Sequence, residues 1–101
     1  MDFDSYQKFT RSTRLKEFSK LYYAVGMAGE TGEVCEKIKK EHRDGTDVSE
    51  GVKKELGDVL WYLSSLADSY NLPLSAIAKA NIHKLNSRKK RDVIRGSGDT
   101  R

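Results

Sequence analysis

Four carboxylates stand where the chain's own periodicity asks for apolar side chains. In GMAGETGEVCEKIKK, residues 26–40, Met27, Val34 and Ile38 recur at spacings that stack side chains on one helical face. Glu30 lies three residues after Met27 and four before Val34, inside that stripe, and Glu33 follows one turn along on its flank. The pattern repeats in VKKELGDVLWYL, residues 52–63. There Glu55 falls three after Val52 and four before Val59, and Asp58 comes one turn later on the face of Tyr62. Twenty-one residues separate the two pairs. If the two helices pack antiparallel across the turn at Gly45, the pairs meet at similar height.

Four carboxylates converging in a partly dry groove repel one another, and burying unpaired charge is costly. The usual relief is a hard divalent cation with oxygen ligands. Mg²⁺ is the leading candidate, with Mn²⁺ as the alternative, because Mg²⁺ takes a few carboxylates and completes its shell with water and substrate phosphate. Glu30, Glu33, Glu55 and Asp58 are therefore the candidate metal ligands. Gly26, Gly29, Gly32 and Gly57 are expected to keep the helix surfaces slim beside them. A di-iron bundle needs Glu-x-x-His on two helices, and neither His42 nor His83 has a glutamate three residues before it.

A second constellation is cationic. Asn81, Lys84, Arg88 and Arg91 fall at i, i+3, i+7 and i+10, one face of a helix that begins within an apolar stripe and ends in positive charge. Cations beside a carboxylate cage suit a polyphosphate, with metal on one side and Lys and Arg on the other. Gly96-Ser97-Gly98 offers backbone N–H groups to phosphate, which adds Ser97 to the candidate substrate-binding residues. Trp61, Tyr22 and Tyr23 read as core. Cys35 has no base spaced to activate it.

The elements that must position these residues are helices. The pattern predicts four and no strand: about Asp4 to Thr13, with Phe3, Tyr6, Phe9 and Thr10 on one side; about Lys16 to Arg43, with Phe18, Leu21, Val25, Ala28, Val34 and Ile38; a third opened by a capping box at Asp47–Glu50 and running to about Tyr70; and a fourth from Pro73 to about Lys90. Residues 1–92 form one helical domain, and 93–101 a glycine-containing tail. The expected architecture is an all-α antiparallel four-helix bundle. At 101 residues, 37% hydrophobic and 34% charged, the chain has little apolar material for a core of its own, so oligomerisation is expected to complete it. A single cysteine excludes an intrachain disulfide, and no apolar run approaches the roughly 18 residues of a membrane span. A cytoplasmic protein without a membrane partner is the expectation. The net charge of +4 is concentrated in residues 84–101, which implies an anionic partner.

Taken together these residues resemble the MazG-like branch of the all-α nucleoside triphosphate pyrophosphohydrolases. The family's ExxE, spacer and ExxD are similar to ETGE at 30–33 and ELGD at 55–58, and its Asn-x-x-Lys-…-Arg helix to ANIHKLNSRKKR. GSGDTR at the end resembles the tail of its short single-domain members, and YQKFTRST their first helix. The resemblance implies hydrolysis between the α and β phosphates of a nucleoside triphosphate, giving monophosphate and pyrophosphate. It implies that Glu30, Glu33, Glu55 and Asp58 are catalytic through Mg²⁺, that Lys84 and Arg88 hold phosphates, and that copies assemble as dimers or tetramers. Thr31 stands where several relatives carry a third acid, so the number of ions stays open. Two other classes are carried beside this one: a small nucleic-acid-binding protein using its basic C-terminal end, and a bundle that binds nucleotide or metal without turnover. No helix-turn-helix spacing or exposed aromatic platform supports the first.

Overall fold

A computed structural model describes residues 1–101 and contains four helices and no strand: α1 Phe3–Thr13, α2 Lys20–Asp44, α3 Ser49–Ser69 and α4 Leu74–Lys90. The all-α expectation holds, with each boundary set by a local device. Asp2 caps α1 by accepting from Ser5 N at 2.7 Å. Gly45, at φ 72°, ends α2 in the left-handed conformation that glycine adopts without a Cβ clash. Asn71, at φ 56°, ends α3, and Leu72 N returns to Ala67 O at 2.9 Å. Pro73 then precedes α4, where its missing N–H costs nothing.

Two local expectations are corrected. α2 begins at Lys20 rather than Lys16 because tertiary contacts hold residues 14–19 out of helix. Arg14 reaches Asp68, and Phe18 N donates to the Tyr23 hydroxyl at 3.1 Å. The capping box at Asp47–Glu50 is not formed. Asp47 accepts from Ser49 N at 2.9 Å, while the neighbouring Val48 N donates to Glu41 Oε2 at 3.0 Å, an acceptor supplied by α2 rather than by Glu50.

α2 and α3 form an antiparallel hairpin. Its seam runs from Gly26 against Tyr62, through Lys37 against Gly51 and Glu55, to Glu41 beside Val48. Gly26 is required here: a Cβ at this position would run into the Tyr62 ring. α1 lies across α3 through a polar seam. Gln7, Thr10, Ser64 and Ser65 are buried, whereas Phe3 and Phe9, expected on the packed side, are exposed. Thr10 Oγ1 meets Ser64 Oγ at 3.1 Å, and Arg14 donates to Ser65 Oγ at 2.9 Å and to Asp68 at 2.7 Å. Arg11 and Gln7 also donate to Asp68. Burial alone would raise the Asp68 carboxyl, but the hydrogen bonds and charges of Arg11 and Arg14 outweigh it and hold it below the usual carboxylate range.

α4 is anchored by its first turn. Gln7 accepts from Leu74 N at 2.9 Å, and Asp4 takes Ser75 N at 3.1 Å and Ser75 Oγ at 2.7 Å, an anion at a helix N-terminus. Its main helix–helix contact is with α1. The single chain is consequently open. Only Tyr23, Ala67 and Leu74 are buried hydrophobics, and Leu21, Val25 and Leu56 of the expected apolar faces lie more than half exposed, as does Ile82. The radius of gyration is 16.4 Å, against about 13 Å for a compact chain of this length. The accessible surface is 7692 Å², against about 5,800 Å² for a compact monomer of this mass.

Candidate active site

The hairpin register determines which carboxylates meet. One turn along α2 from Gly26 is Glu30, and one turn back along α3 from Tyr62 is Asp58, so the Gly26–Tyr62 contact sets Glu30 opposite Asp58. Glu55 enters from one turn further back. One carboxylate oxygen from each of Glu30, Glu55 and Asp58 lies within 4.8 Å of the others. Glu30 and Glu55 are half-buried and Asp58 is exposed. Neither Glu30 nor Asp58 has a Lys or Arg in ion-pair contact, and Lys37 Nζ stands 3.6 Å from Glu55 Oε1. Glu33, the fourth expected ligand, is exposed and outside this trio, although its charge is felt at Glu30.

The electrostatics follow. The Glu30 carboxyl is pushed above the usual carboxylate range by burial, by a hydrogen bond with Glu55, and by the charges of Asp58, Glu55 and Glu33. The Tyr62 phenol is raised by burial and by its contact with Tyr22, with Glu30 and Asp58 adding to the effect. Tyr6 of α1 is raised by burial and by the charge of Asp58. An all-oxygen donor set in which Glu30 and Asp58 have no cation partner and only Glu55 has one, Lys37, fits a hard divalent ion. Thr31, beside the first pair, donates its hydroxyl to Met27 O at 2.8 Å along its own helix.

Glu30, Asp58, Trp61 and Tyr62 line a cavity of about 340 Å³. Trp61, expected in the core, forms part of this wall, held by its indole N–H on Thr13 Oγ1 at 2.7 Å and edge-on to Tyr62 with ring centres 5.1 Å apart. Spacing could have found it, since Trp61 and Tyr62 follow Asp58 by three and four residues. Tyr23 is fully buried as expected, whereas Tyr22 is exposed and stacks on Phe18 at 4.0 Å. Of the four glycines, only Gly26 receives a neighbouring side chain; a Cβ at Gly29, Gly32 or Gly57 would meet nothing within 4 Å. Cys35 is a free, exposed thiol.

The cationic row lies elsewhere. Asn81 and Lys84 border a separate apolar cavity of about 720 Å³ with Leu60, Leu63 and Ile77, and no residue is common to the two cavities. Arg88 is buried against the tail and donates to Asp99 O at 2.7 Å. Arg91 donates to Ser87 Oγ and to Arg101 O. Ser97 is exposed in the tail. The row is thus one face of α4, but anchoring through the first turn leaves its cations without a contact to the acidic trio.

Residues 18–93 match the MazG nucleotide pyrophosphohydrolase domain, a stretch that carries both acidic pairs and the whole of α4. The chain belongs to the MazG nucleotide pyrophosphohydrolase family. Its all-α architecture is the MazG one. The chain is 44% identical over 85 residues to the Gene 37 protein of Mycobacterium phage L5, covering 79% of this chain and 75% of that protein. No solved structure matches it significantly. In the MazG frame α2 and α3 supply the acidic trio, and no helix is long and apolar enough to cross a membrane.

Proposed function

We propose that this MazG-family chain hydrolyses nucleoside triphosphates between the α and β phosphates, with Mg²⁺ held by Glu30, Glu55 and Asp58 and Glu33 adding charge at the rim. The observation that carries this is the convergence of three carboxylate oxygens within 4.8 Å beside an aromatic-walled cavity. Once bound, such an ion supplies charge neutralisation for phosphate oxygens and activation of water. A carboxylate of the cluster would then take the proton from the attacking water. Trp61 and Tyr62 form the aromatic wall of the cavity beside these carboxylates. No covalent intermediate is needed.

Lys84 and Arg88 are the proposed phosphate-gripping groups, with Asn81, Arg91 and Ser97 around them. Because α4 stands off the trio, this role requires a neighbouring copy whose α4 reaches the carboxylates. The surplus of roughly 1,900 Å² of surface over a compact monomer supports such an assembly, since a stable interface buries about 800 Å² or more per partner. A dimer or tetramer is expected. Light scattering that returned a mass near 11.4 kDa at micromolar concentration would contradict it.

The test of activity is a panel of ribo- and deoxyribonucleoside triphosphates with Mg²⁺ or Mn²⁺, read by product analysis. Monophosphate with pyrophosphate is the expected product pair. Diphosphate with phosphate would move the cleavage site. Nucleotide binding without turnover would make the chain a binding module, and no triphosphate binding with tight nucleic-acid binding would favour the basic-end alternative.

A further inference from the structure

The cations of α4 are already met by the chain's own tail. Val93 N donates to Arg88 O at 2.9 Å, which turns the chain back over the helix end. The Arg101 guanidinium then gathers the carbonyls of Val93 at 3.0 Å, Ile94 at 2.9 Å and Gly98 at 2.7 Å, closing the segment into a loop. Gly96 and Gly98, at φ 153° and 87°, provide the backbone turns that the loop needs. Asp99 is thereby laid on the row. Its main-chain carbonyl accepts from Arg88 Nη2 at 2.7 Å, and its Oδ1 stands 3.9 Å from both Arg88 Nη2 and Lys84 Nζ.

The two sides of this contact are unequal. The Arg88 side chain is 6% exposed and that of Asp99 is 94% exposed. A guanidinium buried to this extent needs a close anion, and a solvated carboxylate at 3.9 Å is a weak one. The hydrogen bond that Arg88 does make goes to a neutral carbonyl, which leaves a planar fork suited to bidentate oxygens without one.

We propose that Asp99 is a stand-in for substrate phosphate. In the nucleotide-free chain its carboxylate occupies the anion position of Arg88 and Lys84. An incoming polyphosphate displaces the carboxylate, while the Asp99 carbonyl keeps Arg88 oriented. The proposal rests on the assignment of Lys84 and Arg88 as phosphate-binding groups. Asp99 then competes with substrate and acts on affinity rather than on the chemical step.

The test is calorimetric binding of tripolyphosphate in EDTA, where the carboxylate trio holds no metal, to wild type, Asp99→Asn and Asp92→Asn. Asp99→Asn is nearly isosteric and should bind about two- to fivefold tighter, the worth of one exposed ion pair. Asp92→Asn makes the same change in net charge on a residue that forms no ion pair with Lys84 or Arg88, and should match wild type. In hydrolysis Asp99→Asn should lower KM by the same factor and leave kcat unchanged. Unchanged or weaker binding by Asp99→Asn, or an equal gain in Asp92→Asn, overturns the stand-in. Tighter binding by Asp99→Asn in a protein that hydrolyses no triphosphate would support the stand-in and remove the proposed activity. Hydrolysis with unaltered Asp99→Asn binding would do the reverse.

Discussion

Glu30 and Asp58 face each other across the α2–α3 seam, with a carboxylate oxygen from each within 4.8 Å and no Lys or Arg in ion-pair contact with either. Burial and a hydrogen bond with Glu55 raise the proton affinity of Glu30 first, and the charge of Asp58 adds to the rise, so ionised Glu30 is a cost carried by the metal-free fold. A carboxyl whose folded pKa lies above its unfolded value adds stability below the unfolded value. That stability is lost as pH rises through the folded value.

Glu30→Gln removes this titration. In EDTA the variant should melt above wild type near pH 7, and the gap should narrow as pH falls toward about 4, where wild-type Glu30 is protonated. Mg²⁺ should raise the wild-type Tm at pH 7 more than that of the variant. A Tm difference that stays constant across this pH range would remove the cost of ionised Glu30 from the account.

Asp68 titrates in the opposite sense. Its folded pKa is lowered, so its contribution is present above the unfolded value and lost as pH falls through the folded one. Asp68→Asn leaves Arg14, 7% exposed at its side chain, with only the solvated Glu17 carboxylate at 3.6 Å as a charge partner. Denaturant unfolding at pH 7 should show a loss of about 3–5 kcal/mol. A loss under about 1 kcal/mol would mean that the polar seam, not the ion pair, carries the α1–α3 contact.

Two glycines in α2 should respond with opposite signs. Gly29→Ala places a methyl where nothing lies within 4 Å, so helix propensity should raise stability by about 0.5–1 kcal/mol. Gly26→Ala drives its methyl into the Tyr62 ring, which the seam holds in place, and should destabilise. Thermal melts of the pair decide the matter, and equal gains in both would show that Tyr62 swings away freely.

Lys84→Ala should lower kcat/KM for the best triphosphate roughly ten- to 150-fold, the worth of one charge-assisted hydrogen bond of about 1.5–3 kcal/mol. Lys90→Ala, off that face, should cost little. Nucleic-acid binding measured at two salt concentrations provides the contrast. Equal losses of nucleic-acid affinity in both variants, with a shallower salt slope and no hydrolysis by wild type, would favour the basic-end alternative.

Much of the site was legible in the sequence because its signals are local. Helix periodicity places Glu30, Glu55 and Asp58 against the grain of their apolar stripes, and the Gly45 and Asn71 stops follow from their tolerance of positive φ. The Asn81–Arg91 row is likewise a matter of spacing along one helix. What lay beyond the sequence depends on docking between distant segments. The register set by Gly26 under Tyr62 decides that Glu30, Glu55 and Asp58 converge while Glu33 stays at the rim. Gln7, Thr10, Ser64 and Ser65 are buried because hydrogen-bond partners arrive from more than 50 residues away, which a hydrophobic pattern cannot register. α4 stands off the carboxylates because its anchor is one turn of hydrogen bonds to Asp4 and Gln7, and only the tertiary structure lays Asp99 on Arg88.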